Sequence, residues 1–233
     1  MNIKIKGVQK TSLIDYPGKV CSVIFVSRCN FRCPYCHNAE LVLNEVKDDI
    51  NPEEILQFLE KKKKWIDGVC ITGGEPTLHK GLADFAREVK KRNLLVKIDT
   101  NGTNPKLIGE LLKEKLVDYI AMDIKASQKR YRDATKAKFD KKAIQKTIDL
   151  IMKSGIKHEF RTTVVPGLFD EKEAEEIGKW LKGAKKFCIQ QFRNIDRTLD
   201  KKFQDVQPYP PKKLKEFKKI LSGYINKVEI RGV

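Results

Sequence analysis

VCSVIFVSRCNFRCPYCHN, residues 20–38, joins a run of apolar and β-branched residues to three closely spaced cysteines. The run at 20–27 predicts a β-strand. Cys29, Cys33 and Cys36 follow at once, so we expect them in a loop at the carboxyl end of that strand. Ligands bind at this edge of the sheet in parallel α/β folds. The stretch therefore predicts both an α/β fold and a site built on cysteine.

Apolar and amphipathic stretches alternate along the chain from this strand onward. The predicted strands are 20–27, 68–74, 94–102, 117–125, 157–167, 185–192 and 226–232. The predicted helices are 51–65, 81–93, 104–115, 140–155, 170–183 and 210–223, two of which start at Asn-Pro pairs. Alternating βα units predict a parallel sheet with right-handed crossovers, but the pattern leaves open whether the sheet curls toward a barrel.

We predict one domain over residues 1–233. It consists of an extension at 1–19 that pairs with the first strand as a hairpin, a core at 20–195, and a last helix and strand at 196–233. The absence of a run of about eighteen apolar residues argues against a membrane span. The first residues lack the apolar centre of a signal peptide. We therefore expect a cytoplasmic protein, whose clustered cysteines serve a metal or redox reaction rather than disulfides.

The net charge of +17 has two interpretations. Lysine-rich stretches such as 61–65 and 211–219 are typical of solvated helix faces. A large anionic partner, either nucleic acid or an acidic protein, is the alternative. The chain lacks the signatures of common RNA-binding modules, which disfavours nucleic acid.

Three cysteines within eight residues allow three kinds of site. A structural zinc ion takes four ligands, usually as two separated pairs, and Cys21, Cys70 and Cys188 stand singly in predicted strands, where a thiol packs as an apolar group. The CPYC segment is compatible with a redox pair, but that function leaves Cys29 unused. An iron–sulfur cluster held by three thiolates keeps one iron open to a small molecule.

The C-x3-C-x2-C spacing, with Tyr35 before the last cysteine, resembles the radical S-adenosylmethionine (SAM) superfamily. The resemblance implies a partial (β/α)6 TIM-like barrel with a short N-terminal extension. It also implies one [4Fe–4S] cluster on Cys29, Cys33 and Cys36, whose open iron binds SAM and splits it into methionine and a 5′-deoxyadenosyl radical. The segment ITGGEP (71–76) is similar to the motif that holds the methionyl amino group, which gives this role to Gly73, Gly74 and Glu75. A plain strand–turn–helix joint that starts at Pro76 is the alternative for this segment.

Further motifs resemble the activating enzymes of glycyl-radical enzymes, and the resemblance covers roughly residues 10–195. They are the signature KTSLIDYPGKVCSVIFVSRCNFRCPYCHN (10–38), IDTNG (98–102), AMDIK (121–125) and RTTVVPG (161–167). In this subfamily the second and third motifs lie at SAM. The resemblance implies the following cofactor contacts: Tyr35, His37, Asn38, Asp99, Thr100, Asn101, Asp123, Lys125, Arg161 and Val164.

Of these residues, Asp99, Thr100, Met122 and Asp123 are implied to hold a monovalent cation, and Lys125 to neutralise the SAM carboxylate. Turn formation is the alternative for Asp99 and Asn101, and a surface position is the alternative for Lys125. The residue before the first cysteine is commonly glycine in the family and is Arg28 here, which puts the backbone of this loop in question.

The activity implied by this resemblance is abstraction of a hydrogen atom from a glycine of a partner glycyl-radical enzyme, for which anaerobic ribonucleotide reductase is the suggested client. A flavodoxin or a ferredoxin-type protein is the implied electron donor. A radical SAM enzyme that modifies tRNA or a deazapurine precursor is the second hypothesis, favoured by the basic charge. A zinc-stabilised binding module is the third.

Overall fold

The computed structural model describes residues 1–233 and contains eight strands and eight α-helices. The strands are β1 (Ile5–Ser12), β2 (Cys21–Val26), β3 (Gly68–Gly73), β4 (Leu95–Thr100), β5 (Tyr119–Asp123), β6 (Lys157–Val164), β7 (Phe187–Gln191) and β8 (Val228–Arg231). The α-helices are α1 (Ala39–Leu43), α2 (Pro52–Lys62), α3 (Leu82–Lys91), α4 (Pro105–Lys113), α5 (Tyr131–Thr135), α6 (Lys141–Lys153), α7 (Glu171–Trp180) and α8 (Pro211–Leu221). Short 3-10 helices span Pro76–Leu78 and Lys201–Phe203.

The chain divides into two compact units. The first consists of Met1–Asn30, Glu40–Ala121 and Lys142–Lys157, and the second of Phe31–Ala39, Met122–Lys141 and His158–Val233. The expectation of one domain over 1–233 stays a prediction. None of the helices is long and apolar enough to cross a membrane.

In the first unit the strands follow one another in chain order from β1 to β5. β1 is antiparallel to β2, with Ile5 opposite Val26. β2, β3 and β4 are parallel, and Gly68 is in register with both Cys21 and Leu95. The parallel register brings the carboxyl ends of β2, β3 and β4 to one edge of the sheet.

The second unit contains the last residues of β5 together with β6, β7 and β8. Just after β5, the backbone N–H of Ile124 donates to the carbonyl of Arg161 in β6 at 2.9 Å. β6, β7 and β8 are parallel, and Phe187 of β7 is in register with both Phe160 and Val228. The predicted parallel arrangement is therefore found in this unit too.

Local sequence signals set several helix starts. The side chains of Asn51, Asn104 and Asp170 each accept a backbone N–H from the first turn of α2, α4 and α7, at 2.8–3.2 Å. Such caps satisfy donors that have no partner within the helix. Every predicted strand and helix is present, each shorter than predicted by at most three residues at either end. The sequence did not predict α1, α5 or the two 3-10 helices.

Buried cysteines contribute to the core, as expected. Cys21 and Cys70 pack in one cluster of the first unit with Tyr16, Val23, Tyr119 and Ala121. Cys188 is also fully buried, and burial raises the pKa of its thiol to about 11. These three positions match the interpretation of lone cysteines in strands as small apolar residues.

An ion cluster around the buried Glu159 links two strands of the second unit, β6 and β8. Glu159 of β6 is fully buried, and its two carboxylate oxygens accept hydrogen bonds from Nη1 and Nη2 of Arg231 at 2.7 and 2.6 Å. Nζ of Lys186 lies 3.3 Å from the same carboxylate. A fork-shaped guanidinium on a carboxylate is a strong, directional pair. It fixes β8 against β6 through their side chains.

Candidate functional site

In the first unit the cysteine loop begins with a strained residue. Arg28 has φ +63°, a left-handed conformation that costs a residue with a Cβ atom about 1–2 kcal/mol. Its N–H donates to the carbonyl of Leu41 at 2.7 Å, and its carbonyl accepts the N–H of Glu75 at 2.7 Å. The structure thus answers the question about this backbone: arginine adopts a conformation in which glycine is more favourable.

Gly73 and Gly74 of the Gly73–Glu75 segment (the GGE segment) allow the end of β3 to pack against this loop. A Cβ atom on Gly74 would lie 1.9 Å from the carbonyl oxygen of Arg28. On Gly73, which has φ +110°, it would lie 2.7 Å from the carbonyl oxygen of Val26. The close approach seen here is therefore to the chain's own backbone, and contact of these glycines with SAM stays a prediction.

Glu75 joins the ends of β3 and β4. The side chain is 1% exposed. One carboxylate oxygen accepts hydrogen bonds from the N–H and hydroxyl of Thr77 and from the hydroxyl of Thr100, at 3.0, 2.5 and 2.8 Å. The other accepts the N–H of Asn101 at 2.6 Å. Burial raises the pKa of Glu75 above its ordinary value, and the four donors oppose this rise.

The alternative for the GGE segment is thus realised, because Glu75 caps the 3-10 helix that starts at Pro76. A carboxylate offers about two acceptor positions on each oxygen, and here three protein donors converge on one oxygen and one donor contacts the other. The sequence analysis assigned this acid to the cofactor and did not predict its hydrogen bonds to Thr100 and Asn101 at the end of β4. A direct contact of Glu75 with the methionyl amino group stays a prediction.

The turn after β4 points an amide at the first cysteine. Nδ2 of Asn101 lies 3.8 Å from Sγ of Cys29 and 2.8 Å from the side-chain oxygen of Asn30. The side-chain oxygen of Asn101 accepts hydrogen bonds from the N–H and hydroxyl of Thr103, at 3.1 and 2.7 Å. Asn101 therefore helps to form the turn, which was the alternative to cofactor binding, and its amide also contacts Cys29.

Asp99 has a cationic partner that sequence reasoning missed. Lys97 is 2% exposed, and its ammonium donates to the carboxylate of Asp99 and, at 3.4 Å, to Sγ of Cys70. Residues two apart in a strand share a face. The pattern Lys-x-Asp in an otherwise apolar strand was the available signal.

In the second unit, Cys33 and Cys36 lie in a tight turn, in which the N–H of Cys36 donates to the carbonyl of Cys33 at 3.0 Å. Burial raises the pKa of the Cys33 thiol to about 11. It also raises the pKa of Cys36, against a hydrogen bond from the backbone of Asn38. Both thiols are neutral at pH 7 in this environment and would lose their protons on binding iron.

A later segment of the chain holds this turn in place. The N–H groups of Leu199 and Asp200 donate to the carbonyls of Cys36 and Pro34 at 3.1 and 2.8 Å. The ring of Tyr35 lies 6.4 Å from that of Phe203, between centroids.

His37 also contacts this part of the second unit. Its Nε2 lies 2.8 Å from the carbonyl oxygen of Arg193, and its ring is 6.0 Å from that of Phe192. His37 and Tyr35 therefore support the cysteine turn, and their contacts with a cofactor stay predictions. No motif or periodic pattern in residues 192–203 indicated this role.

Asp123 lies between two cations of the second unit. Nζ of Lys125 donates to one carboxylate oxygen at 2.9 Å, and Nε of Arg161 donates to the other. Burial raises the pKa of Asp123, but Arg161 and Lys125 outweigh burial and hold it well below its ordinary value. Two cations on one carboxylate leave one positive charge in excess. Lys125 is therefore in a partly buried ion pair, its side chain 19% exposed, and Val164 at the end of β6 is fully buried.

The predicted site residues thus form two sets. Cys29, the GGE segment and residues 99–101 belong to the first unit, and Cys33 to Asn38, Asp123, Lys125, Arg161 and Val164 to the second. None of the six cysteines forms a disulfide. No group of three or more His, Cys, Asp or Glu side chains is arranged to hold a metal ion. The ligand role of the three cysteines therefore stays a prediction.

Comparison with known proteins identifies the family. The family model of the radical SAM superfamily matches residues 23–181. The chain belongs to the radical SAM superfamily. It is 40% identical to a Methanocaldococcus jannaschii protein named as a glycyl-radical enzyme activating enzyme, over 100% of this chain and 98% of that relative. It is 27% identical to the pyruvate formate-lyase-activating enzyme of Clostridium pasteurianum, over 94% and 96%.

These matches confirm the family suggested by the motifs, namely the glycyl-radical enzyme activating enzymes among radical SAM proteins. The chain is therefore an enzyme of a superfamily that uses a [4Fe–4S] cluster and SAM.

Solved structures confirm the predicted radical SAM type of α/β fold. Streptococcus suis SuiB bound to its precursor peptide SuiA matches with a TM-score of 0.70 and 15% identity, over 89% of this chain and 48% of SuiB. The chain thus spans about half the length of that protein. A domain of pyruvate-formate lyase-activating enzyme from Bacteroides vulgatus matches with a TM-score of 0.57 and 16% identity, over 71% of this chain and 99% of the domain.

Proposed function

We propose that this enzyme generates a glycyl radical in a partner protein. The observation that carries the proposal is the 40% identity, over the whole chain, to a protein named as a glycyl-radical enzyme activating enzyme. A [4Fe–4S] cluster and SAM, when bound, would supply one electron and a 5′-deoxyadenosyl group, so that SAM would be cleaved to methionine and 5′-deoxyadenosine with removal of one hydrogen atom from a glycine Cα of the partner. Glycine suits this reaction because no side chain blocks planarity and the flanking amides share the unpaired electron.

Cys29, Cys33 and Cys36 are proposed as the ligands of one [4Fe–4S] cluster. The donor set fits the group, because thiolates are the usual ligands of such clusters and none of the three is engaged in a disulfide. Three ligands for four irons leave one iron for SAM. The amide of Asn101, 3.8 Å from Sγ of Cys29, is placed to stabilise negative charge on that sulfur.

Residues of the first unit are proposed to bind the methionyl part of SAM. We assign the amino group to Gly73, Gly74 and Glu75, with Glu75 acting chiefly through the strand ends that it ties together. Thr100 and Asn101 take part in the same hydrogen-bond network. The fit rests on the bare glycine backbone, which leaves this strand end without side chains.

Residues of the second unit are proposed to bind the carboxylate of SAM. Asp123 shares its charge between Lys125 and Arg161, so this cluster carries one excess positive charge that suits an anionic group. Val164 supplies an apolar wall, and Tyr35, His37 and Asn38 complete the proposed cofactor contacts. The implied monovalent cation fits less well, because Asp99 and Asp123 already have protein cations as partners.

The partner is proposed to be a glycyl-radical enzyme, with anaerobic ribonucleotide reductase as the first client to test. A flavodoxin or ferredoxin-type protein is proposed as the electron donor. A cluster with an open iron requires a reducing environment, so we place the enzyme in the cytoplasm.

Anaerobic reconstitution followed by an isotope-transfer assay tests the proposal. We expect a brown protein with about four irons per chain. With reductant, SAM and a partner deuterated at glycine Cα, deuterium should appear in 5′-deoxyadenosine, and an organic radical should appear in the partner. The basic charge of +17 keeps tRNA as the second substrate to test. Deuterium transfer from tRNA but not from the partner would favour that alternative, and a colourless zinc protein would overturn both.

A further inference from the structure

The buried ammonium group of Lys97 has no part in the function proposed above. Lys97 and Asp99 occupy alternate positions of β4, and their side chains are 2% and 11% exposed. The ammonium donates to the carboxylate of Asp99 and, at 3.4 Å, to Sγ of Cys70. Lysine is rarely buried unless it is paired, because removing its charge from water costs several kcal/mol. The pair therefore needs an explanation.

The second carboxylate implied in cation binding is also neutralised by the chain. Asp123 accepts hydrogen bonds from both Lys125 and Arg161 within the second unit. In the first unit Lys97 already neutralises Asp99, and in the second unit Lys125 and Arg161 together outnumber the single charge of Asp123. In either unit, a bound sodium or potassium ion would add a positive charge beside a carboxylate that protein cations already balance. This charge balance does not fit the monovalent cation that the family resemblance implies.

We propose that Lys97 is a built-in counter-ion that replaces a bound monovalent cation. Its ammonium donates to the carboxylate of Asp99 and holds that side chain in place, so that the turn at Thr100 and Asn101 is formed without a free ion. The inference rests on the proposed function in so far as that turn binds SAM. It makes Lys97 a positioning residue, since its contacts are with Asp99 and Cys70.

The first consequence concerns the wild-type enzyme. The reconstituted holoenzyme should bind no stoichiometric rubidium ion in equilibrium dialysis, with or without SAM. Its Kd for SAM should agree within about twofold between potassium chloride and choline chloride at about 0.1 M, a concentration that matches general screening in both media. One rubidium ion per chain, or SAM binding that is about tenfold tighter in potassium, would overturn the proposal.

The second consequence concerns Lys97→Met. Methionine is one atom shorter and uncharged, so it leaves the place of the ammonium open beside Asp99. We expect the variant to bind SAM about tenfold more weakly in choline chloride and to recover to within about threefold of wild type in potassium chloride, with one rubidium ion bound per chain. A merely structural role would weaken binding equally in both salts, and that result would overturn the proposal.

Two further variants serve as controls. Lys90→Met removes another lysine–aspartate pair of the first unit, in which Nζ lies 2.8 Å from both carboxylate oxygens of Asp118. It should behave as wild type in both salts, and a potassium dependence of SAM binding in Lys90→Met would overturn the specific role of Lys97. If Lys97→Met does not fold, the double variant Lys97→Met/Asp99→Asn removes both charges and should fold without an ion. A requirement for potassium in the double variant would contradict the pairing.

The two proposals can fail separately. The rubidium measurement requires neither SAM cleavage nor a partner protein. A holoenzyme that binds no rubidium but leaves the partner's glycine intact would support the role of Lys97 and refute the proposed function.

Discussion

Replacement of Glu75 by glutamine tests the joint between β3 and β4. Both carboxylate oxygens accept a backbone N–H, from Thr77 at 3.0 Å and from Asn101 at 2.6 Å. A carboxylate accepts strongly at both oxygens, whereas an amide accepts at its single oxygen only. The amide of Glu75→Gln has the same shape but must turn its NH2 group toward one of these N–H donors. One hydrogen bond is lost, and two donors then face each other in a buried site.

The structure gives the size of the effect. Leaving a buried donor without its charged acceptor costs about 1.5–3 kcal/mol, and the bonds that remain are weakened because the charge is gone. We therefore expect a total loss of about 3 kcal/mol in the free energy of unfolding. For a chain of this size, that corresponds to a fall in Tm of about 6–12 °C.

Thermal melting followed by circular dichroism at pH 7 measures this loss. Thr77→Val is the matched control, because it removes one of three donors to the same oxygen and leaves the carboxylate and the backbone N–H of residue 77 intact. It should lower Tm by only about 2–4 °C. If Glu75→Gln melts within 2 °C or so of wild type, the side chain is not an ionised joint, and the reasoning fails.

Three further predictions concern the cysteines, a glycine and the Asp123 ion cluster. Cys33→Ala, like loss of either other proposed ligand, should abolish cluster assembly and SAM cleavage, whereas Cys188→Ala should leave assembly and cleavage nearly intact. The iron content and the yield of 5′-deoxyadenosine measure the two effects. Equal loss in the Cys33 and Cys188 variants would show that the ligand set is wrong. Gly74→Ala should prevent cluster assembly, because the new Cβ atom would lie 1.9 Å from a backbone oxygen. Gly109→Ala in helix α4 is the control: its Cβ atom would have its nearest contact at 3.8 Å, so the variant should raise Tm by about 2–4 °C. A Gly74→Ala protein that carries a full cluster would contradict this prediction. Asp123→Asn should lower the free energy of unfolding by about 2–3 kcal/mol, less than for a fully buried pair because the Asp123 side chain is 22% exposed. Because the folded pKa of Asp123 is lowered, denaturant melts should show this difference undiminished from about pH 5 to 8 and shrinking only below about pH 4; shrinkage near neutrality would refute the pairing.

Local rules predicted the elements of this fold well. Asn51 and Asn104 cap their helices as the Asn-Pro pairs indicated, because capping depends on residues within one turn. The strands β2 to β8 followed from β-branched runs between helical stretches. The short helices α1 and α5 escaped prediction because they span five residues each, which is too short for a periodic pattern.

The composition of the site could be predicted, but its internal pairing could not. The motifs identified Glu75 and Asp99 as important residues, yet the partners of Glu75 come from another strand end and from the 3-10 helix that it caps. The partner of Asp99 was two residues away, in an apolar strand where a lysine is unexpected. Support of Cys36 by Leu199 spans more than 160 residues, and no local rule reaches that far.

The fork between Arg231 and Glu159 sets a limit on when the second unit can be completed. The two residues are 72 positions apart, so the ribosome must add 72 residues after Glu159 before Arg231 exists. At about 5–20 residues per second, that delay is about 4–14 s, and the exit tunnel lengthens it further. During this interval, of the two cations that contact Glu159, only Lys186 can balance its carboxylate, once Lys186 has emerged from the tunnel. We therefore expect nascent chains stalled before Arg231 to remain protease-sensitive after residue 158, and to become resistant only when the last strand is released.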